Sequence, residues 1–250
     1  MERLSRKPFQ GVTNIIRFNW HYYIIAFILI GSLFFVRKYF PNPFNNIVSI
    51  IAILTILSVV ISLSISWYIY DYSGLYSLEW LSVLKIRPKQ ILVNINAGFD
   101  ETSSILNYKY PDSKLLVFDF YDPEKHTEIS IERARKAYTI FPGTKVIGTN
   151  NIPLKTDSVD YIFLILSAHE IRNHEERIDF FKRLANTLNR NGRIIVVEHQ
   201  RDIYNFIAYN FGFLHFFSRK IWERTFNNAH LHEISKTKIT PFIKAFILKK

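Results

Sequence analysis

The sequence predicts an α/β domain with a mostly parallel sheet and an antiparallel C-terminal hairpin, preceded by a transmembrane α-hairpin. Three observations carry that expectation. Two uncharged apolar runs, His21–Val36 and Ile47–Trp67, stand near the start of the chain and are joined by a turn holding Pro41 and Pro43. From Pro88 onward, short β-rich apolar runs alternate with helical stretches, the pattern of a parallel sheet covered on both faces. Charged residues all but vanish between about Trp20 and Tyr70 but are ordinary from Lys85 to Lys250, so the two parts meet different solvents.

The first run, HYYIIAFILIGSLFFV, is near the lower limit for a hydrocarbon core about 30 Å thick at about 1.5 Å per residue. Including Trp20, or slight bilayer thinning, makes it sufficient. The second, IVSIIAILTILSVVISLSISW, is long enough unaided, and the prolines between them force a reversal. Trp20, Tyr22, Tyr23, Trp67, Tyr68 and Tyr70 cluster at one level, where amphipathic rings prefer the headgroup region. A cleaved signal peptide is disfavoured because no small-residue cleavage pattern follows the first run. A buried core helix is the remaining alternative for either run. Ser58, Ser62 and Ser66 fall four apart on one face of the second helix, which would let the first approach closely.

Orientation follows from the cations. Arg3, Arg6, Lys7 and Arg17 precede the first span and Lys85, Arg87 and Lys89 follow the second, against Arg37 and Lys38 in the turn. This places both termini and the α/β domain in the cytoplasm, in a multi-pass protein of the cytoplasmic (inner) membrane. The expected organisation is an anchor over 1–70 with spans at about 20–37 and 46–68, an interfacial linker over 71–87, and the α/β domain over 88–250. The net charge of +11 is explained by cations beside the membrane runs, and no alternation of basic and aromatic residues marks a nucleic-acid face, so no nucleic acid is expected as partner. With no cysteine, disulfides, thiolate nucleophiles and zinc–thiolate sites are excluded.

Within the domain the expected strands are Ile91–Ile95, Leu115–Asp119, Lys145–Thr149, Tyr161–Leu166 and Arg193–Glu198. The clearest helix is Glu175–Asn189, whose Ile178, Phe181, Leu184, Ala185 and Leu188 recur at helical spacing. Gly192 after it suits a left-handed C-terminal cap. Sheets of this type bind ligands at the carboxyl ends of the strands. There, Asn94–Glu101 makes a turn in which Gly98 lets backbone approach a ligand, and the second strand ends in Asp119, placed to accept hydrogen bonds from a ribose. Beyond Phe211, a helix around Ser218–Asn228 and two strand-like runs make the closing hairpin, with Phe213, Phe216 and Phe217 either core or an apolar wall.

The segment Asn151–Asp202 resembles class I S-adenosylmethionine-dependent methyltransferases, especially the branch of the ubiquinone and menaquinone methyltransferases. The matching parts are Ile152-Pro153-Leu154, Asp157-Ser158-Val159-Asp160, Glu176-Arg177, Leu188-Asn189-Arg190-Asn191-Gly192 and Ile194-Ile195-Val196-Val197-Glu198, and their order agrees over roughly 88–250. The resemblance implies a Rossmann-like class I methyltransferase domain with S-adenosyl-L-methionine as cofactor. It implies that Asn94, Asn96 and Gly98 line the methionine part, that Asp119 holds the ribose, and that Asn150 and Asn151 sit near the adenine. Ser167, counted among the cofactor-binding residues, would border the transferred methyl group together with Ala168, His169 and Glu170. The chain departs from the family where Asn94 replaces the acidic residue ending the first strand, and where Asn96 and Asp100 replace the first and third loop glycines. An Asn carbonyl still accepts from the cofactor's ammonium, without a carboxylate's charge.

For a hydroxyl acceptor, His169 would take the proton, with Glu170 orienting or polarising the site. The alternative is that both cap a helix beginning near Ile171. No metal site is expected: His169 and His174 are five apart, whereas one helical face needs histidines four apart, and His230 and His232 read as an exposed edge. The expected activity is methyl transfer to a small, apolar or amphipathic, lipid-like acceptor at the cytoplasmic membrane face. The rival expectation is a catalytically inactive chain of the same fold serving as a membrane interaction module.

Overall fold

A computed structural model of the chain describes residues 6–126 and 128–250, without the side chain of Lys236. The order begins with helix α1 (Gln10–Phe18), followed by the apolar hairpin of α2 (Trp20–Val36) and α3 (Phe44–Trp67). The domain then runs β1 (Ile91–Asn96), α4 (Ser103–Lys109), β2 (Lys114–Asp119), α5 (Ile129–Ala137), β3 (Lys145–Val146), β4 (Val159–Ile165), α6 (His174–Thr187) and β5 (Leu188–His199). It closes with α7 (Ile203–Tyr209), α8 (Arg219–Asn228), β6 (His232–Lys238) and β7 (Ile243–Lys249).

The strands form one seven-stranded sheet in the order β3-β2-β1-β4-β5-β7-β6. β1 to β5 pair in parallel, and β7 lies antiparallel between β5 and β6. Crossovers go one way from β1 to β2 and β3, then the other way to β4, so the strand order reverses between β1 and β4. The carboxyl ends of those two strands flank the crevice where such sheets take ligands. One face buries Val93, Ile162, Ile194 and Phe246 against Phe181 and Leu184 of α6 and Trp222 and Phe226 of α8. The other face buries Leu92, Phe163, Ile195 and Ala245 beneath Leu106 of α4 and the segment after α3.

That segment, expected as an interfacial linker over 71–87, packs on the domain. It makes 3₁₀ turns at Leu75–Ser77 and Glu79–Leu84, and Leu75, Leu78 and Leu81 are buried on the sheet. Leu78 joins the two turns with a left-handed φ of 52°. Gly192 corrects the expectation of a C-terminal cap. It lies inside β5 without a left-handed φ, because α6 passes directly into the strand at Leu188, whose register partner is Val159. β3 stops at Val146 rather than Thr149, since Gly148 and Asn151 bridge one another in a tight return.

The hairpin faces outward. No residue of α2 is buried, and only Ala52 and Ser66 are buried in α3. Both helices are long and apolar enough to cross a membrane. Ser58 serves the domain: its hydroxyl accepts from Asn210 Nδ2 at 2.8 Å. Helix α1 folds back across the end of α3, where Asp71 accepts from the N–H groups of Gly11 (2.7 Å) and Val12 (2.8 Å), satisfying two of the unpaired donors of a helix start. A Cβ on Gly11 would meet Tyr70 Cβ at 2.4 Å, so this crossing requires glycine.

Candidate functional site

A cavity of about 230 Å³ opens over the carboxyl ends of β1 and β4. Asn94, Asn96 and Ala97 form one side, Leu166, His169 and Glu170 the other, and Asn14 and Phe18 of α1 the roof. Asn94 is buried, and its amide nitrogen donates to Thr102 Oγ1 (3.0 Å) and Ser103 Oγ (2.8 Å). Its carbonyl oxygen is the polar atom left for a cavity ligand. Asn96 Oδ1 accepts from the Gly98 N–H at 3.2 Å, which closes the turn. Asp100 orders the turn into α4: its Oδ1 accepts from the N–H groups of Thr102 and Ser103, each at 2.9 Å. Glu101, which no sequence pattern singled out, fastens the roof by accepting from Arg6 (2.7 Å), Gln10 (3.3 Å), Asn14 (3.3 Å) and Tyr76 (2.8 Å).

The other expected cofactor residues fall into separate places. Asp119 ends β2 between Asn96 and Val146 and is 3% exposed. Its Oδ1 accepts from the Tyr121 N–H (2.9 Å) and its Oδ2 from Arg135 (2.5 Å). Gly98 has a φ of +95°, and a Cβ there would meet the Tyr121 ring at 2.8 Å and Arg135 at 3.1 Å. Arg135 in turn sits 4.3 Å from the centre of that ring. Asn150 and Asn151 line a second, open hollow together with Tyr121, Asp122 and Glu176. Arg135 and Tyr121 thus cover the strand ends between the two hollows. Ser167 lies off the cavity wall: its hydroxyl donates to the Ile95 carbonyl (2.8 Å) and ties the end of β4 to β1.

At the far side of the cavity, Leu166 takes a left-handed φ of 53° and turns the chain into the 3₁₀ turn Ala168–Glu170. His169 Nδ1 lies 2.7 Å from Glu198 Oε2 of β5, and Nε2 lies 3.1 Å from Glu170 Oε1. Glu198 therefore orients His169 from beneath, a part expected of Glu170. His215, at the end of the 3₁₀ turn Asn210–His215, brings Nδ1 to 2.8 Å from Glu128 Oε1. Burial disfavours charge on His169, but Glu198 and Glu170 outweigh it and raise its pKa well above the usual histidine range. Burial likewise works to raise Glu170, yet its histidine neighbours hold it well below an ordinary carboxylate. The adjacent His199, buried and bonded to Asn205, is pushed down to about 4, chiefly by burial. Neither His169 nor Glu170 caps α6; Asn173 does, accepting from the Glu176 N–H at 3.0 Å. His232 is exposed at the start of β6, the edge strand, whereas His230 is exposed in the turn before it with a left-handed φ of 56°, so the two do not share a strand.

No protein-family model matches the sequence, and no curated protein matches it. Among solved structures, the chain is similar to a SAM-dependent methyltransferase from Leishmania major, with TM-score 0.50 and 15% identity over 72% of this chain and 74% of that one. It is also similar to human N-acetylserotonin methyltransferase in complex with SAM, with TM-score 0.50 and 16% identity over 74% of this chain and 52% of that one. The fold is accordingly a Rossmann-like methyltransferase fold, mostly parallel with antiparallel C-terminal strands, here carrying N-terminal apolar helices.

Proposed function

We propose that the protein is a membrane-anchored S-adenosylmethionine-dependent methyltransferase whose acceptor is a small apolar or amphipathic molecule at the cytoplasmic membrane face. The observation that carries this reading is the cavity that joins Asn94 and Asn96 to His169 and Glu170 over the switch point of a methyltransferase-like sheet. Its wall also includes Phe18 and Asn19, just before α2, and Tyr70, just after α3. A lipid-like acceptor held at the membrane surface would meet the site without crossing open water, at raised effective concentration.

The cofactor's methionine end fits the free carbonyl of Asn94. Its ribose end fits Asp119 once Arg135 leaves that carboxylate, and Asn150 and Asn151 lie in the hollow beyond. Bound S-adenosylmethionine supplies an activated sulfonium methyl group, so the protein contributes alignment, water exclusion and proton handling. The roof of α1 would limit water, and His169, held by Glu198 and Glu170, would orient a hydroxyl acceptor and take its proton only above the raised pKa of the ring, where the imidazole is neutral. The outward-facing hairpin is read as two spans, with both termini and the domain on the cytoplasmic side.

A second reading, an inactive chain of this fold serving as a membrane interaction module, is favoured by one observation: both oxygens of Asp119 are already taken by Tyr121 and Arg135. Calorimetric titration of S-adenosylmethionine and S-adenosylhomocysteine into detergent-solubilised protein separates the two. Micromolar binding weakened about tenfold or more by Asp119→Ala, equal to about 1.4 kcal/mol, is expected. A well-folded protein that binds neither compound would leave the second reading in possession.

A further inference from the structure

The cluster at the acceptor end of the cavity has a geometry that an ion-pair network does not require. His169, Glu170 and His215 each offer one ligand atom, and the three atoms lie within 4.8 Å of one another. The two histidine Nε2 atoms converge on the same carboxylate oxygen, at 3.1 Å and 3.6 Å, from rings whose planes stand 86° apart. The longer separation is not a hydrogen bond, and His215 Nε2 is buried without a hydrogen-bond partner. Behind each imidazole stands a second carboxylate. Glu198 holds His169 Nδ1 at 2.7 Å, and Glu128 holds His215 Nδ1 at 2.8 Å.

We propose that His169, Glu170 and His215 form a binding site for a divalent transition-metal ion of the zinc class. Metal-bound histidines almost always give their other ring N–H to a carboxylate or carbonyl, which fixes the tautomer and aims the ligating nitrogen. Here both histidines are aimed in that way, and both Nε2 atoms point at a carboxylate. Ligands about 2.0–2.1 Å from a tetrahedral ion lie roughly 3.4 Å apart, so the two separations to Glu170 bracket the required value. Two imidazoles and one carboxylate suit zinc, iron(II) or cobalt(II) rather than magnesium or calcium, which prefer all-oxygen shells. Three protein ligands leave a coordination position open, as catalytic sites do.

Three carboxylates, Glu128, Glu170 and Glu198, surround the two imidazoles, while the Arg172 guanidinium donates to the carbonyl oxygens of His169 and His215. A divalent ion would take the place of the protons that those carboxylates favour on the rings. Because His169, Glu170 and Glu128 line the cavity, the ion would border it and take an oxygen of an acceptor. The site was not readable from HEIRNHEE: the ligands come from the turn after β4 and from the turn before α8, and His174 turns away to Arg177.

The site stands independently of methyl transfer and is tested without the cofactor. Full-length protein in detergent, stripped with a chelator, is titrated with Co²⁺ and followed by visible d–d absorption and metal analysis. One tightly held equivalent is expected, bleached by Zn²⁺. His215→Ala and Glu170→Gln should each weaken it by about a hundredfold, and Glu198→Gln, which acts through His169, by about tenfold. X-ray absorption of the zinc-loaded wild type should show histidine scattering, which needs no variant to fold. Failure of folded wild-type protein to take up stoichiometric Co²⁺ would overturn the proposal. So would zinc without histidine ligands, or folded variants binding as tightly as wild type.

Discussion

Arg135 and Asp119 decide what the strand ends can accept. The guanidinium reaches Asp119 Oδ2 at 2.5 Å and also approaches the Gly98 carbonyl at 3.4 Å, while Tyr121 covers it from one side. Hydrogen bonds between charged partners are stronger than neutral ones, so a ribose diol competes poorly for this carboxylate while Arg135 remains. Yet the Arg135 side chain is 30% exposed and has a long flexible stem, whereas Asp119 is fixed at a strand end. Removing the competitor should therefore help the ligand: Arg135→Ala is expected to tighten S-adenosylhomocysteine binding by about three- to tenfold, or about 0.7–1.4 kcal/mol. Calorimetry checks this, and weaker binding would mean that the guanidinium belongs to the seat. The position of Asp119 was legible in the sequence because a carboxylate closing a β-rich run falls at a strand end wherever that strand sits. Its partner was not, since Arg135 lies on a different element and carries no periodic signal.

At the scale of elements, legibility followed local pattern. The β-branched runs of β1, β2, β4 and β5 and the 3.6-residue spacing of α6 are properties of neighbouring residues, and they located the sheet. The leucines at 75, 78 and 81 are also evenly spaced, but they sit on two short 3₁₀ turns joined at a left-handed Leu78, which matches neither helix nor strand templates. Helix α1 and the stretch from α7 to His215 were missed for another reason: each is shaped by what it rests on. Asn210 binds Ser58, nine residues before Trp67 and so about 13 Å along α3 at about 1.5 Å per residue. Near that contact an exposed apolar stripe comes in two pieces, Ile203 and Ile207 on α7 and Phe211 and Leu214 on the 3₁₀ turn after the break at Asn210, with Phe211 82% exposed. If α3 spans the bilayer, this stripe lies at headgroup depth or below. Phe211→Trp in nanodiscs containing brominated lipid should therefore show quenched emission from the introduced indole relative to plain lipid, with the native tryptophans measured in parallel as background. Unchanged emission would place the stripe in water, leaving an apolar face for some other partner.

For the whole molecule, the docking of α1 constrains topology more tightly than charge counting does. Arg6 pairs with Glu101, Asp71 caps the start of α1, and Arg133 of α5 donates to the Phe18 carbonyl at 2.6 Å. The segment before α2 is thus part of the domain that follows α3, so if the hairpin spans a bilayer, both of its ends lie on the same side. Sequence cations then set the direction. On the proposed reading, the surplus of Lys and Arg at the domain side over Arg37 and Lys38 in the turn would keep the domain in the cytoplasm. The absence of cysteine makes this directly measurable with single introduced thiols. Lys38→Cys, in the turn between α2 and α3, should react with a membrane-impermeant maleimide in intact cells. Lys250→Cys, beyond β7, should react only after permeabilisation. The opposite pattern would invert the protein and put the cavity on the outer face, away from any cytoplasmic cofactor. Equal protection of both positions in intact cells, with equal exposure on opening them, would mean that the hairpin lies against the bilayer without crossing it. In that case the apolar surface of α2 and α3 would serve as an in-plane anchor, and the acceptor would still be delivered at the level of Phe18 and Tyr70.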